Sequence, residues 1–191
     1  MASMATTSRP KKTVDDFMAL GDGVRAELID GEIYMAASPT SWHQIICGNL
    51  HLAMAQHARE RNLGTVFVAP LDVHLPSGDI VEPDLIFVAE KNRGIVQDWI
   101  RGVPDLLVEI VSPSNPERDR LVKRTLYQRN GVPEYWIVEP EARAIEILRL
   151  EPQPQGSAAF APAGYVGAGA TLITRALPEL ELQVDDVFRS T

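Results

Sequence analysis

Two short apolar stretches, each containing acids, decide how this sequence is interpreted. Residues 82–88 read EPDLIFV, and residues 104–111 read PDLLVEIV. Charged side chains are rarely buried unless they are paired or bound to a metal. Asp84 and Glu109, held on neighbouring strands, would suit a hard divalent cation, because such cations prefer oxygen ligands.

The two acids differ in how strongly the sequence singles them out. Glu109 lies inside a nearly uninterrupted apolar run. Burying an unpaired carboxylate there would cost on the order of several kcal/mol. Asp84 follows Pro83, and Pro-Asp is also a common turn pair. A purely structural turn is therefore the alternative for Asp84.

Composition limits the classes of protein to which the chain can belong. Its 191 residues predict a tail at 1–12 and one domain over 13–191, and the formal net charge is −8. This acid excess argues against a protein that binds chiefly by coating phosphates with positive charge. One cysteine, Cys47, and no apolar run of membrane-spanning length predict a cytoplasmic protein that does not enter membranes.

Hydrophobic periodicity and turn residues predict the order of the elements. A helix over 14–20 is followed by a hairpin over 27–35, because Asp30-Gly31 is a strong two-residue turn signal. A helix over about 42–61 follows, with Gly64 suited to its end. The remaining predictions are strands over 65–75, 81–88, 106–111, 135–138, 144–150, 171–173 and 180–182, a loop or short helix over 91–99, a helix over about 117–129, and a turn-rich connection over 151–169.

These elements predict an α/β fold, with a mixed central sheet flanked by helices and extra antiparallel strands at both ends. In the helix after Glu109, Asp119, Lys123 and Tyr127 follow one another at intervals of four residues and therefore share one face. If that face covers the sheet, Lys123 projects toward the two carboxylates. The alternative is a solvated face with ordinary ion pairs.

Other chemistries lack the residues that they need. His43, Cys47 and His51 follow one helix, but His43 and His51 lie about 12 Å apart along its axis, too far to share one zinc ion. Ser112 is not part of a Gly-x-Ser-x-Gly elbow, and the sequence has no glycine-rich phosphate loop.

The sequence resembles the Uma-two family of restriction-endonuclease-like proteins in the PD-(D/E)XK nuclease superfamily. The residues that carry this resemblance are 27–32, His43, 83–84, 104–114, Lys123, Tyr127 and 131–136. Together they span roughly residues 14–190. The resemblance implies a restriction-endonuclease-like fold and phosphodiester hydrolysis that depends on Mg²⁺ or Mn²⁺.

The resemblance also implies roles for individual residues. Asp84 and Glu109 would be catalytic metal ligands, together with the backbone carbonyl of Ile110. The superfamily places a lysine two positions after the acid, where this chain has Val111, so the resemblance points instead to Lys123 on the next helix. Glu27 would supply a further catalytic acid, or would be only a charge at the hairpin edge.

Substrate contacts are assigned to His43 and Tyr127. The predicted function is a metal-dependent endonuclease that acts on nucleic acid, with DNA as the expected partner and a homodimer as the expected assembly. The alternatives are a binding or assembly module of the same fold with little or no catalysis, and hydrolysis of another phosphate ester. Candidates for a basic surface are Arg59, Arg61, Arg118, Arg120, Lys123 and Arg124.

Overall fold

The computed structural model of the protein describes residues 10–21, 23–112, 118–154 and 156–190. The helices are α1 (Val14–Met18), α2 (Ser41–Glu60), α3 (Arg124–Arg129) and α4 (Val184–Val187), with a 3-10 helix at Glu90–Ile95 and a π-helical segment at Arg118–Lys123. The strands are β1 (Ala26–Ile29), β2 (Glu32–Met35), β3 (Gly64–Val68), β4 (Val73–His74), β5 (Ile80–Val81), β6 (Leu85–Ala89), β7 (Ile100–Arg101), β8 (Leu106–Ile110), β9 (Glu134–Glu139), β10 (Ala144–Pro152), β11 (Ala158–Val166), β12 (Thr171–Ile173) and β13 (Glu181–Gln183).

The strands of the described residues form a large central sheet, a second sheet and a short pair. The central sheet has the order β11-β10-β9-β8-β6-β3, in which β8 and β9 are parallel and the other neighbours are antiparallel. The second sheet has the order β2-β1-β5-β4-β7, and β12 pairs with β13. This mixed α/β arrangement confirms the predicted fold class.

Each face of the central sheet is covered by a different layer. Ile46 and Leu50 of α2 pack on one face with residues of β8, β9 and α4. Leu126 and Tyr127 of α3 pack on the other face, together with residues of the second sheet. Both faces of β8 are therefore buried, which is why its sequence is almost entirely apolar.

The predicted hairpin and the predicted long helix are confirmed. Asp30 and Gly31 both have positive φ, 53° and 80°, as a two-residue hairpin turn requires. Thr40 caps α2 by accepting a hydrogen bond from the His43 N–H. The role expected for Gly64 was wrong, because it opens β3 at a point where a Cβ would overlap the Val88 carbonyl oxygen.

The strand predicted over 81–88 is in fact two strands. β5 belongs to the second sheet and β6 to the central sheet, so the chain crosses between sheets at Glu82, Pro83 and Asp84. Pro83 has no N–H for a ladder, which suits it to this crossing. Asp84 therefore lies at the entrance to β6 and not inside a strand.

Two other expectations about strands were wrong. The strand over 65–75 is split into β3 and β4, with a cis peptide bond at Ala69–Pro70 between them. The connection over 151–169 contains β11, which pairs with β10 along its whole length. β11 is an edge strand, and Pro162 is tolerated there next to a shift in register.

The chain ends and the helix before α3 complete the description. Residues 1–9 of the predicted tail and the predicted helix start at 113–117 lie outside the described residues. Within the predicted tail, the Lys12 N–H donates to the Gly31 carbonyl at 2.8 Å, so this part is attached to the hairpin. Among the described helices, none has both the length and the apolar character needed to cross a membrane.

Candidate metal-dependent active site

Two acids face each other at one end of the β6–β8 pair. The strands are antiparallel with Leu85 opposite Val108, and one further step in this register brings Asp84 opposite Glu109. Residues directly opposite in such a pair have Cβ atoms about 5 Å apart. Glu109 lies between Leu107 and Val111, whose side chains are on the face covered by α3, whereas the carboxylate of Asp84, just before β6, reaches His43 of α2.

Asp84 is held through one of its carboxylate oxygens. Its Oδ2 accepts a hydrogen bond from the Ile110 N–H at 2.7 Å and lies 3.2 Å from Nε2 of His43. The other ring nitrogen of His43 is buried and has no hydrogen-bond partner among the described residues, so the contact from Nε2 to Asp84 is the one that orients the imidazole. Asp84 is thus oriented through Oδ2, and its second oxygen accepts no hydrogen bond from the residues that the structure describes.

Glu109 is buried and is contacted from the helical layer. Its Oε1 accepts hydrogen bonds from Lys123 Nζ at 2.7 Å and from the Tyr127 hydroxyl at 2.6 Å. The two donors are four residues apart and therefore project from the same side of the helix. Burial and the negative charge of Glu109 raise the pKa of Tyr127 well above its usual range, so the phenol stays a neutral donor.

Glu27 joins the hairpin to this cluster. Its Oε1 lies 2.9 Å from Lys123 Nζ and accepts a hydrogen bond from the Glu82 N–H at 3.1 Å. Lys123, whose side chain is only 3 % exposed, therefore stands between the carboxylates of Glu27 and Glu109. Hydrogen bonds and opposite charges of this kind are what make buried ions tolerable.

All of these groups except Tyr127 line a common cavity of about 750 Å³. Burial and the nearby acids raise the pKa values of two groups next to these acids, Asp72 and Cys47. Burial, and then repulsion from Glu82 and Glu27, raises the pKa of Asp72 to about 6. Burial, and then Asp84, raises the pKa of the Cys47 thiol to about 12, so the thiol is neutral and unreactive at ordinary pH.

Most of the site residues predicted from the sequence lie together. Those that line the cavity are Glu27, His43, Asp84, Glu109, Ile110 and Lys123. Lys123 reaches Glu109, as the helical spacing predicted. Tyr127 differs: it is fully buried behind Glu109 and offers no surface to a substrate, so its hydroxyl positions Glu109 instead.

Among the described residues, the candidates for a basic surface do not form one exposed patch at the cavity, because Arg59 and Arg61 lie far from it and Lys123 is buried. Lys123 is buried in the cluster, and Arg120 pairs with Glu139. Arg59 and Arg61 lie at the far end of α2, about 24 Å or more along its axis from His43. The side chains of Arg118 and Asp119 lie outside the described part of the chain.

Comparison with known proteins identifies the family. Residues 14–185 match the model of the Uma2 family, whose description is "Putative restriction endonuclease". The chain belongs to this family. No curated protein matches the chain.

A solved structure supports the fold of this Uma2 protein. The crystal structure of a "putative nuclease belonging to DUF820" from Anabaena variabilis has a TM-score of 0.73 and 18 % sequence identity, covering 92 % of this chain and 97 % of that one. At this identity, the likeness concerns the fold alone.

The donor atoms of the Uma2 site fit a hard divalent cation that takes few protein ligands. Asp84, just before β6, and Glu109 of β8 offer carboxylate oxygens at the wall of one cavity. Within the described residues, no three His, Cys, Asp or Glu side chains converge closely enough to hold an ion. This composition suits Mg²⁺ or Mn²⁺, which are often bound by one or two carboxylates with waters and substrate phosphate, and does not suit zinc.

The cavity residues that sequence reasoning missed include Arg25 and Glu82. Arg25 Nε donates to Glu82 Oε1 at 2.8 Å, and a second Arg25 nitrogen contacts the same oxygen. Glu82 immediately precedes the Pro-Asp pair, but nothing in its own position suggests a partner. The two residues are 57 positions apart, and only the pairing of β1 with β5 brings them together.

Proposed function

We propose that this Uma2 protein is a divalent-metal-dependent endonuclease that hydrolyses phosphodiester bonds in nucleic acid, with DNA as the substrate. The observation that carries the proposal is that Asp84 and Glu109 line one cavity, with Lys123 hydrogen-bonded to Glu109. Membership of the family supports the same chemistry.

Asp84, Glu109 and the backbone carbonyl of Ile110 would hold Mg²⁺ or Mn²⁺. When bound, such a cation polarises a phosphoryl oxygen and lowers the pKa of a coordinated water. Asp84 enters this arrangement already oriented, since its Oδ2 is fixed by the Ile110 N–H and by His43. Pre-oriented ligands are what a precise metal site needs.

Lys123 would supply positive charge beside the reacting phosphate. An ammonium group in a site of low dielectric stabilises negative charge that develops in a transition state. Glu27 holds this ammonium from the opposite side, so Lys123 keeps one partner whenever Glu109 engages a cation. Tyr127 holds Glu109, and His43 holds Asp84; we assign both to positioning.

The test is cleavage of supercoiled plasmid and of labelled oligonucleotides in Mg²⁺, Mn²⁺ or EDTA. We expect cleavage only with metal, and a loss of at least about 100-fold in Asp84→Asn, the magnitude typical of losing a key electrostatic group. Asp105→Asn is the matched control. It alters a Pro-Asp carboxylate that also accepts a strand N–H, at 2.8 Å, at the other end of the same strand pair.

We expect Asp105→Asn to keep the wild-type rate within about threefold once the folded fraction is taken into account. Asp105 lies away from the proposed metal site, so its loss should not change the stabilisation of the transition state. Equal rates for the wild-type protein and Asp84→Asn would refute the proposed site.

One observation favours the alternative, a nuclease fold that binds or assembles without efficient catalysis. Lys123 already forms ion pairs with both Glu27 and Glu109, and Val111 occupies the position of the superfamily lysine. Calorimetric titration with Mn²⁺ separates the two functions. Heat that is lost in Asp84→Asn supports the nuclease, whereas a folded protein that binds no metal supports the binding module.

A homodimer is part of the proposal, because two copies would bring two active sites to the two strands of a duplex. Sedimentation with and without a short duplex measures this. If the protein is a monomer under both conditions, we expect it to cut the two strands of a duplex one at a time and to produce nicked intermediates.

A further inference from the structure

The cavity presents a problem of charge for any nucleic-acid substrate. The acids that line it are Glu27, Glu82, Asp84, Glu109 and Glu141, whereas the only cations that line it among the described residues are Arg25 and Lys123. A phosphate chain entering such a cavity is repelled unless cations meet it. One bound divalent ion would offset part of this excess, and the remainder falls to the two side chains.

The two cations are not equivalent. Lys123 is buried, and both carboxylates beside it contact its ammonium group within 3 Å. Arg25 keeps 39 % of its side chain exposed and lies on the cavity wall. Of the two, only Arg25 can meet an incoming phosphate without giving up a buried ion pair.

Arg25 is also held in place. Its Nε and one terminal nitrogen both point to Oε1 of Glu82, whose side chain is only 7 % exposed. A guanidinium has five N–H donors in a rigid plane, so a contact to one oxygen leaves the remaining donors for another acceptor. A fixed guanidinium matches phosphate geometry and loses little entropy on binding.

The position of Arg25 suits a contact next to the reacting group. Arg25 lies two residues before Glu27 on the extended chain that leads into β1, and its carbonyl accepts a hydrogen bond from the Ala36 N–H. Residues two apart on a strand share a face and are about 7 Å apart. Arg25 therefore lies about 7 Å along the chain from Glu27, which contacts Lys123.

We propose that Arg25 binds a phosphate adjacent to the one that is cleaved, through a charge-assisted hydrogen bond to a non-bridging oxygen. This inference rests on the proposed nuclease function and deepens it by naming a substrate-binding residue that lies outside the acid pair.

The test measures affinity for a labelled oligonucleotide by fluorescence anisotropy across a salt series in Ca²⁺, with gels to verify that the oligonucleotide stays intact. Each phosphate that a cation neutralises contributes about 0.7 (single strand) to 0.9 (duplex) to the slope of log affinity against log salt. We expect Arg25→Gln to reduce this slope by about one such contact and to weaken binding about tenfold at low salt.

Arg93→Gln is the matched control, because Arg93 is an exposed arginine that pairs with a glutamate, Glu90, outside this cavity. We expect it to keep the wild-type slope. A folded Arg25→Gln protein with the wild-type slope would overturn the inference. If the wild-type protein binds no oligonucleotide at all, the proposed function fails first.

Arg25→Lys covers the case in which Arg25→Gln does not fold. Lysine keeps the charge but lacks the planar fork. We expect an unchanged salt slope with affinity reduced several-fold. Unchanged affinity would overturn the proposed fixed geometry of the guanidinium.

Discussion

The chain contains the same three residues, Pro-Asp-Leu, at the entrances of two paired strands. Pro83, Asp84 and Leu85 lead into β6, and residues 104–106 lead into β8. Because the strands are antiparallel, these segments lie at opposite ends of the pair. Each aspartate accepts a hydrogen bond from an N–H just beyond the end of the partner strand's pairing, Asp84 from Ile110 and Asp105 from Ala89.

The surroundings of the two aspartates differ. The register that brings Asp84 opposite Glu109 brings Asp105 opposite Val88, a buried apolar residue. The second oxygen of Asp105 accepts a hydrogen bond from Asn92 at 2.8 Å. Asp84 faces a cavity with a second acid, whereas Asp105 closes a 3-10 helix onto the sheet.

This comparison shows that a local motif does not by itself define a site. Both segments solve the same local problem, which is to satisfy a backbone N–H at the end of a strand pair. The residue opposite and the layer above decide whether the carboxylate is also available for chemistry.

The first prediction concerns the lysine at each end of the β6–β8 pair, Lys123 beside Glu109 and Lys91 beside Asp105. Lys123→Met should lower the free energy of unfolding by about 4 kcal/mol, because it leaves two buried carboxylates without their shared partner. Lys91→Met, at the other end, should change the free energy of unfolding by less than about 0.5 kcal/mol, since Lys91 is exposed and its contact with Asp105 is long, at 4.0 Å. Urea unfolding measures both variants.

The same variant has a consequence for metal binding. A divalent cation that binds only the folded state stabilises it in proportion to its affinity. Mn²⁺ should therefore raise the stability of Lys123→Met by more than it raises that of the wild type. An equal increase in both would contradict competition between Lys123 and metal for Glu109.

The second prediction transfers the acid pair to the other end. Val88→Glu places a glutamate opposite Asp105, on the face where Glu109 lies at the first end. Among the described residues, Lys123 is the only buried lysine or arginine, so no such partner exists at that end and the cost should be about 3 kcal/mol relative to the uncharged Val88→Gln. If the two variants unfold at the same urea concentration, Glu109 does not need Lys123 in order to be buried.

The third prediction compares the stability contributions of the two aspartates. Asp105→Asn should cost about 2 kcal/mol, because its carboxylate makes two charge-assisted hydrogen bonds. Asp84→Asn should cost about half as much, since removing its charge also relieves repulsion from Glu109. A reversed order in chemical denaturation would indicate that Asp84 is mainly structural.

The fourth prediction concerns pH and the acid excess at the Asp84 end. The folded state raises the pKa of Asp72 to about 6 from a value of 3.8. The stability tied to this group is therefore fully present below about pH 4 and lost as the pH rises through 6. Asp72→Asn should match the wild type at pH 4 and exceed it by at most about 1 kcal/mol at pH 7, because a half-exposed group is screened.

The sequence was most informative where local rules dominate. The hairpin at Asp30-Gly31, the cap of α2 at Thr40 and the apolar strand around Glu109 follow from turn chemistry, capping and burial, which act over a few residues. It failed at 81–88 and 151–169, where pairing with distant strands overrides the local pattern. An apolar run cannot show that it changes sheets at Pro83.

The residues of the candidate site also divide into those that local sequence patterns reveal and those that only distant contacts reveal. Asp84, Glu109 and Lys123 could be named because an acid in an apolar run and a lysine at helical spacing are unusual enough to notice. Arg25 and Glu82 could not be named, since an arginine and a glutamate in polar stretches resemble any surface charge. Tyr127 was named, but its burial behind Glu109 depends on how α3 packs.

The sequence alone determined which side chains this chain has available for chemistry: two carboxylates in apolar surroundings and a lysine on the following helix. Only the tertiary structure decided which Pro-Asp faces a second acid, and which cation is buried and which remains exposed. The physical reason is distance along the chain. Burial preference and helical period are local properties, whereas strand register and the packing of helices on a sheet join residues that the sequence keeps far apart.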